Sequence, residues 1–216
     1  MSREPVLELL NSYNQTWVKG HFEYEEFSPG REQAKVERFV TFTKENDRCF
    51  ERHALPGHYT GSALVVSEDL TQVLLTLHRK LNIWLQLGGH AEGEHLLPEV
   101  AMREAQEESG LNNLRFLNYE SLLNEDKLTR PDEIVSPLPF DIDHHYIPSR
   151  KDEPNHYHYD VRFLVVADRS ESIKVSDESH DLKWFSLDEA REKTSEESML
   201  RQFAKVDHLR QRLLTI

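Results

Sequence analysis

Between Gly88 and Leu111 the chain reads GGHAEGEHLLPEVAMREAQEESGL, and this stretch constrains the fold more than any other. The paired glycines and Gly93 favour a tight loop, since glycine enters backbone conformations closed to other residues. Pro98 is tolerated in a first helical turn, so a helix is predicted to begin there, and Gly110 stops it. On that helix Glu104, Glu107 and Glu108 fall at i, i+3 and i+4 and share one face. Leu97, Val100 and Ala101 lie upstream on the same arc, so an apolar stripe turns acidic partway along.

Carboxylates clustered where a helix should be partly buried repel one another and lose solvation, unless protons or a cation neutralise them. A hard divalent ion with oxygen ligands is the economical answer. Mg²⁺ is the first candidate, because it takes one or two carboxylates and completes its shell with waters and substrate phosphates. The plainer alternative is a solvated helix face on which Glu99 and Arg103 form an ordinary i, i+4 pair. The glycine loop directly ahead of the helix favours the metal.

The same stretch resembles the signature of the Nudix hydrolase family, G-x5-E-x7-R-E-U-x-E-E-x-G-U, where U is aliphatic. Gly89, Arg103, Glu104, Ala105, Glu107, Glu108, Gly110 and Leu111 fall on its positions without gaps. His95 stands where the pattern has its first glutamate, with Glu94 one residue earlier. The resemblance implies that this glutamate helps hold the arginine, so Glu94 becomes the expected partner of Arg103 if the loop draws in by one residue. It also implies an α/β fold, a Nudix-type α/β/α sandwich with a mixed sheet, here preceded by an N-terminal helical extension.

At 216 residues, 38% hydrophobic and 30% charged, the chain has the composition of a soluble globular protein with one sizeable core. A formal net charge of −13 opposes non-specific binding to nucleic acid, so an anionic substrate needs a metal bridge or a local basic pocket. The lone Cys49 rules out an internal disulfide framework and fits a reducing compartment. MSREPVLELL lacks the apolar core of a secretory signal, and no stretch reads as a membrane span; the expected location is cytoplasmic.

Residues 1–55 read as a helical extension and residues 56–216 as the motif-bearing domain. Val6, Leu9, Leu10 and Tyr13 keep helical spacing, as do Val36, Phe39, Val40 and Phe42. The extension can pack on the domain, cover its site or build a homodimer. Ser62–Ser67 and Gln72–His78 are β-rich runs joined as a hairpin, and Leu114–Leu123 reads as another strand. Lys80 is a candidate phosphate contact, and Trp84 is a candidate for packing near a base, with a core role the commoner use of such a residue. Glu125–Val135 is a polar connection. Leu182–Leu187 reads as the last strand, and Leu200–Leu214 as an amphipathic helix.

FDIDHHYI (Phe140–Ile147) and HYHYDVRFLVV (His156–Val166) read as antiparallel strands. Alternation puts His156, His158, Asp160 and Arg162 on one side of the second, and Asp141, Asp143 and His145 on one side of the first. If those sides coincide, the sheet presents a face dense in His and Asp, able to bind phosphate or supply an outer metal ligand. His90 and Glu94 in the glycine loop are candidates for similar duties. A zinc hydrolase built on His144, His145, His156 and His158 is a separate reading, short of a ligand-spacing signature.

The resemblance implies metal-assisted attack of water on the diphosphate of a nucleoside diphosphate linked to another group. Glu104, Glu107 and Glu108 are the expected ligands of Mg²⁺, with Mn²⁺ as a substitute, and Arg103 orients them. Gly88 and Gly89 allow the sharp turn against the helix start. Glu107 or Glu108 serves as base, or else a glutamate from a later loop, for which Glu153 beside Asp152 is the candidate. ADP-ribose-like and sugar-linked diphosphates lead as substrates. A nucleotide-binding module without turnover is the rival, motivated by His95.

Overall fold

The computed structural model describes residues 2–20, 28–123, 137–150 and 153–215. Two helices come first: α1 (Glu4–Tyr13), which runs into a π-helical turn at Asn14–Val18, and α2 (Pro29–Glu45). Next come β1 (Gly57–Ser67), β2 (Gln72–His78), β3 (Trp84–Leu85), β4 (Leu87–His90) and α3 (Leu97–Ser109). The chain continues through β5 (Arg115–Phe116), α4 (Glu120–Leu123), β6 (Pro139–Ile147) and β7 (His156–Ala167), and closes with β8 (Ser179–Ser186), α5 (Leu187–Lys193) and α6 (Glu197–Leu213). No described helix is long and apolar enough to cross a membrane.

The eight strands form one mixed sheet. Its axis is the parallel pair β1–β7, in register from Gly57↔Tyr157 to Ser67↔Ala167. Every residue of β1 is buried, as expected for a parallel strand covered on both faces. The apolar halves of these two strands, ALVV and FLVV, come second. Their first halves, GHYTGS and HYHYDV, carry the polar side chains, so polar chemistry collects at one end of the sheet.

Each axial strand shares its free edge between two partners. β4 takes Thr60–Ala63 of β1 and β2 takes Val65–Val66. On β7, β6 occupies His156–Phe163 and leaves only Val165–Val166 to β5. That occupancy explains why the strand expected over Leu114–Leu123 is only two residues long. The chain then turns into α4, with Tyr119 buried and its hydroxyl donating to the Pro139 carbonyl at 2.7 Å. The hairpin β1–β2 and the antiparallel pair β6–β7 match expectation. The polar connection predicted for Glu125–Val135 lies outside the described residues.

Helices cover both faces. A Cβ added to Gly61 would stand 2.8 Å from the Leu97 carbonyl oxygen and 3.0 Å from Val100, so α3 lies directly on one face. From the other face Arg162 of β7 reaches the Ser198 carbonyl at the start of α6. This is the α/β/α arrangement anticipated from the box.

α1 and α2 lie against β6, and their apolar side chains, Leu10, Tyr13, Trp17 and Phe39 among them, join the same core as the sheet. A buried ionic cluster ties them in. Asp141 accepts from Arg201 at 2.7 and 2.9 Å and from Lys205 at 2.8 Å, while Tyr13 donates to Glu32 at 2.8 Å. The Lys205 ammonium sits 4.8 Å from the Tyr13 ring centre and 4.5 Å from that of Trp17, a cation–π arrangement that softens its desolvation.

Candidate active site

The three box glutamates emerge at graded depth: Glu107 is exposed, Glu104 is half-buried and Glu108 is 8% exposed. What meets them is backbone. Gly88 donates its N–H to Glu108 Oε2 at 3.0 Å. A Cβ on Gly89 would come within 2.4 Å of the Glu104 carboxyl carbon, so only glycine lets the strand lie flat against that group.

Burial pushes the Glu108 carboxyl up to about 7, against the Gly88 N–H, and the charges of Glu104, Glu178 and Glu107 add to the rise. Burial also raises Glu104; Arg103 opposes it, and Glu107 and Glu178 reinforce it. Oxygen donors that are crowded, partly desolvated and short of positive charge fit a hard divalent cation.

Arg103 takes its partners from Glu104, at 2.8 Å, and from the His90 carbonyl, at 3.3 Å. It pairs neither with Glu99 nor with Glu94. Glu94 instead accepts from the backbone N–H groups of His95 and Leu96 at 2.8 and 2.9 Å, closing the turn before α3. His95 lies beside that carboxylate, its Nδ1 3.3 Å from Oε1. The arginine is therefore held without the missing glutamate, by its own neighbour in sequence.

Other candidates are dispersed. Asp160 is 2% exposed; Thr60 and Ser62 donate to one oxygen at 2.8 and 2.7 Å, and Gln86 and Arg162 to the other at 3.3 and 2.7 Å. That leaves it bracing the sheet, with no oxygen turned to a ligand. Trp84 packs edge-on to Phe185 at 4.9 Å, a core role. Lys80 is exposed in the turn between β2 and β3. Glu153 forms a backbone bridge with Arg150 at the rim of a cleft of about 470 Å³ that also reaches Arg52, Glu92 and His156. Asp152 lies outside the described residues. The later-loop acid whose charge bears on Glu104 and Glu108 is Glu178, on the turn into β8. The sequence carries no signal for it, because the last strand reads as starting at Leu182 whereas β8 starts at Ser179.

The histidine strands meet as alternation predicts, with Asp143 opposite Asp160 and His145 opposite His158. Parallel pairing adds a residue that spacing did not reveal: His58 of β1 stands beside His158. His90 joins from β4, its ring centre 5.2 Å from that of His58 and 5.1 Å from that of His158. Burial, with the neighbouring imidazoles, pushes His58 down to about 3 and His158 to about 2. Burial and Arg52 bring His90 to about 4. His144 is not among them: it stacks on Tyr157 at 4.5 Å, on the opposite side of β6 from His145. Gly89 faces Glu104 while the next residue, His90, faces the histidines, so the two groups lie on opposite faces of the sheet.

A crystal structure of a NUDIX-family hydrolase from Clostridium perfringens is similar at 28% identity, covering 70% of this chain and 97% of that one, with a TM-score of 0.47. A C. elegans Ap4A hydrolase complex matches at 16% identity over 68% and 94%, TM-score 0.46. An E. coli dihydroneopterin triphosphate pyrophosphohydrolase matches at 15% over 73% and 96%, TM-score 0.43. No match was found among curated proteins. The family model for the NUDIX domain matches residues 58–205, a span that takes in the glycine turn, α3 and both histidine strands. With the box residues drawn together on α3 and the glycine strand, that match makes the chain a member of the Nudix hydrolase family, enzymes that act on phosphorus anhydrides.

Proposed function

We propose that this hydrolase cleaves the diphosphate of a nucleoside diphosphate linked to another group, with water attacking phosphorus. The observation that carries the reading is the acidic face of α3. Glu104 and Glu108 are pressed against the glycine strand, and Glu107 is open to solvent beside them. Glu104, Glu107 and Glu108 would hold Mg²⁺, or Mn²⁺ in its place. Such an ion neutralises diphosphate oxygens and acidifies a bound water.

The chain's own residues have separable duties. Gly88 fixes one oxygen of Glu108 by its N–H, which leaves the other free. Arg103 anchors Glu104 and ties it to the loop through the His90 carbonyl, so the carboxylate cannot swing away as charge changes beside it. Glu108, fixed at one oxygen, or Glu107, exposed beside it, would accept the proton from water. Glu178 adds a further negative charge that bears on Glu104 and Glu108.

A screen of nucleotide derivatives with Mg²⁺, run on wild type beside Glu107→Gln and Glu108→Gln, tests this. Each substitution should lower turnover at least ~100-fold, the usual loss for a metal ligand or base. Unchanged rates would remove these residues from the mechanism. Tight nucleotide binding with no turnover by wild type would favour a sensor instead.

A further inference from the structure

On the opposite face of the sheet from the carboxylates, three imidazoles converge that the hydrolytic reading does not employ. One nitrogen from each of His58, His156 and His158 lies within 4.8 Å of the other two. The Nε2 atoms of His156 and His158 are 3.2 Å apart. That is close to the roughly 3.3 Å expected between two ligands of a tetrahedral site with metal–nitrogen bonds of about 2.0–2.1 Å.

His156 is oriented for such a role. Its Nδ1 donates to the Pro154 carbonyl at 2.9 Å, which leaves the Nε2 lone pair facing inward, the usual support for a ligating imidazole. His58 is the more telling residue. It is 1% exposed, and its ring has only the Ala54 backbone nearby, in a contact that falls short of a well-formed hydrogen bond, with no other partner among the described residues. A buried polar group without a partner is costly, and a cation supplies what this one lacks.

We propose that His58, His156 and His158 form a second metal site, distinct from the α3 carboxylates, for a borderline divalent ion of the zinc class. His90 is the nearest candidate for a fourth ligand, and the cleft bordered by Arg52, Glu153 and His156 gives access. Imidazole donors suit zinc, whereas carboxylate oxygens suit magnesium, so the two faces of one sheet would sort two kinds of cation. Relative to a zinc centre on His144, His145, His156 and His158, His58 and His90 take the places of His144, which points away, and of His145, which lies beside Asp143 at 3.4 Å.

Untagged full-length protein is loaded with zinc, dialysed exhaustively against millimolar Mg²⁺, and its metal counted by mass spectrometry. About one zinc per chain should remain in wild type and in Glu107→Gln, and under about 0.1 in His58→Gln and His158→Gln, as loss of a ligand from a three-histidine site implies. Wild type loaded with Co²⁺ should show the strong visible absorption of a four-coordinate site. This readout needs no variant, so it decides the matter even if His58→Gln does not fold. No retained zinc, zinc lost from the glutamate variant but kept by the histidine variants, or a weak six-coordinate cobalt spectrum would each overturn the proposal.

Discussion

Asp141 and Glu108 are both carboxylates withdrawn from water, at 0% and 8% exposure, yet their proton affinities move in opposite directions. Burial alone would raise Asp141, but Arg201 and Lys205 outweigh it and hold the group well below its ordinary 3.8. Burial raises Glu108 to about 7, and its acidic neighbours reinforce the shift. The chain supplies counter-charge to the first and withholds it from the second. A carboxylate neutralised from within belongs to the frame of the fold; one without internal counter-charge fits the proposed metal site.

Substitution to the neutral isostere should separate the two. Asp141→Asn removes the negative charge that Arg201, Lys205 and Arg162 share, and should cost about 3–5 kcal/mol in chemical denaturation at pH 7, the usual loss on breaking a buried pair. The sign with pH follows from the lowered affinity: the stability that Asp141 contributes is present above pH 3.8 and is lost as acid protonates it. Wild type should therefore lose its advantage over Asp141→Asn in strong acid, and a gap that persists there would break the comparison.

Glu108→Gln should act in the opposite sense. A carboxyl raised from 4.5 to about 7 contributes stability below pH 4.5 that it loses as pH rises through 7. Without metal at pH 8 the glutamine variant should be more stable than wild type, by up to about 3 kcal/mol at 1.36 kcal/mol per pKa unit. The two should be equal below pH 4.5, and Mg²⁺ should stabilise wild type alone. Equal thermal stability at pH 8 in chelator would mean that Glu108 is not short of counter-charge.

The smallest effect belongs to Glu107→Gln. Its side chain is exposed, so stability should stay within about 0.5 kcal/mol of wild type. A turnover loss in that variant then reads on chemistry rather than folding.

Local patterns carried most of what was legible in the sequence. The glycine turn, the acidic face of α3 and the β1–β2 hairpin are each encoded within a few residues, so spacing alone predicts them. Long-range register is not so encoded. His58 lies nearly a hundred positions from the strand it joins, and nothing near Pro56–Gly57 advertises the parallel pairing that sets it beside His158. Leu114–Leu123 has the apolar content of a strand, but β6 already occupies the edge it would need. Asp160 looked like a ligand because its polar neighbours were visible, whereas the four donors that use up its oxygens come from β1, from Gln86 and from its own strand.

The short β4 strand sets a limit on how this region can change over evolutionary time. Because Gly89 and His90 point to opposite faces, a single inserted or deleted residue between Gln86 and Ala91 would exchange them. An imidazole would then be driven into Glu104 while the histidine group lost a member. Length variation in this family member should accordingly be found in its outer turns and be absent from these few positions, whichever substrate its lineage came to prefer.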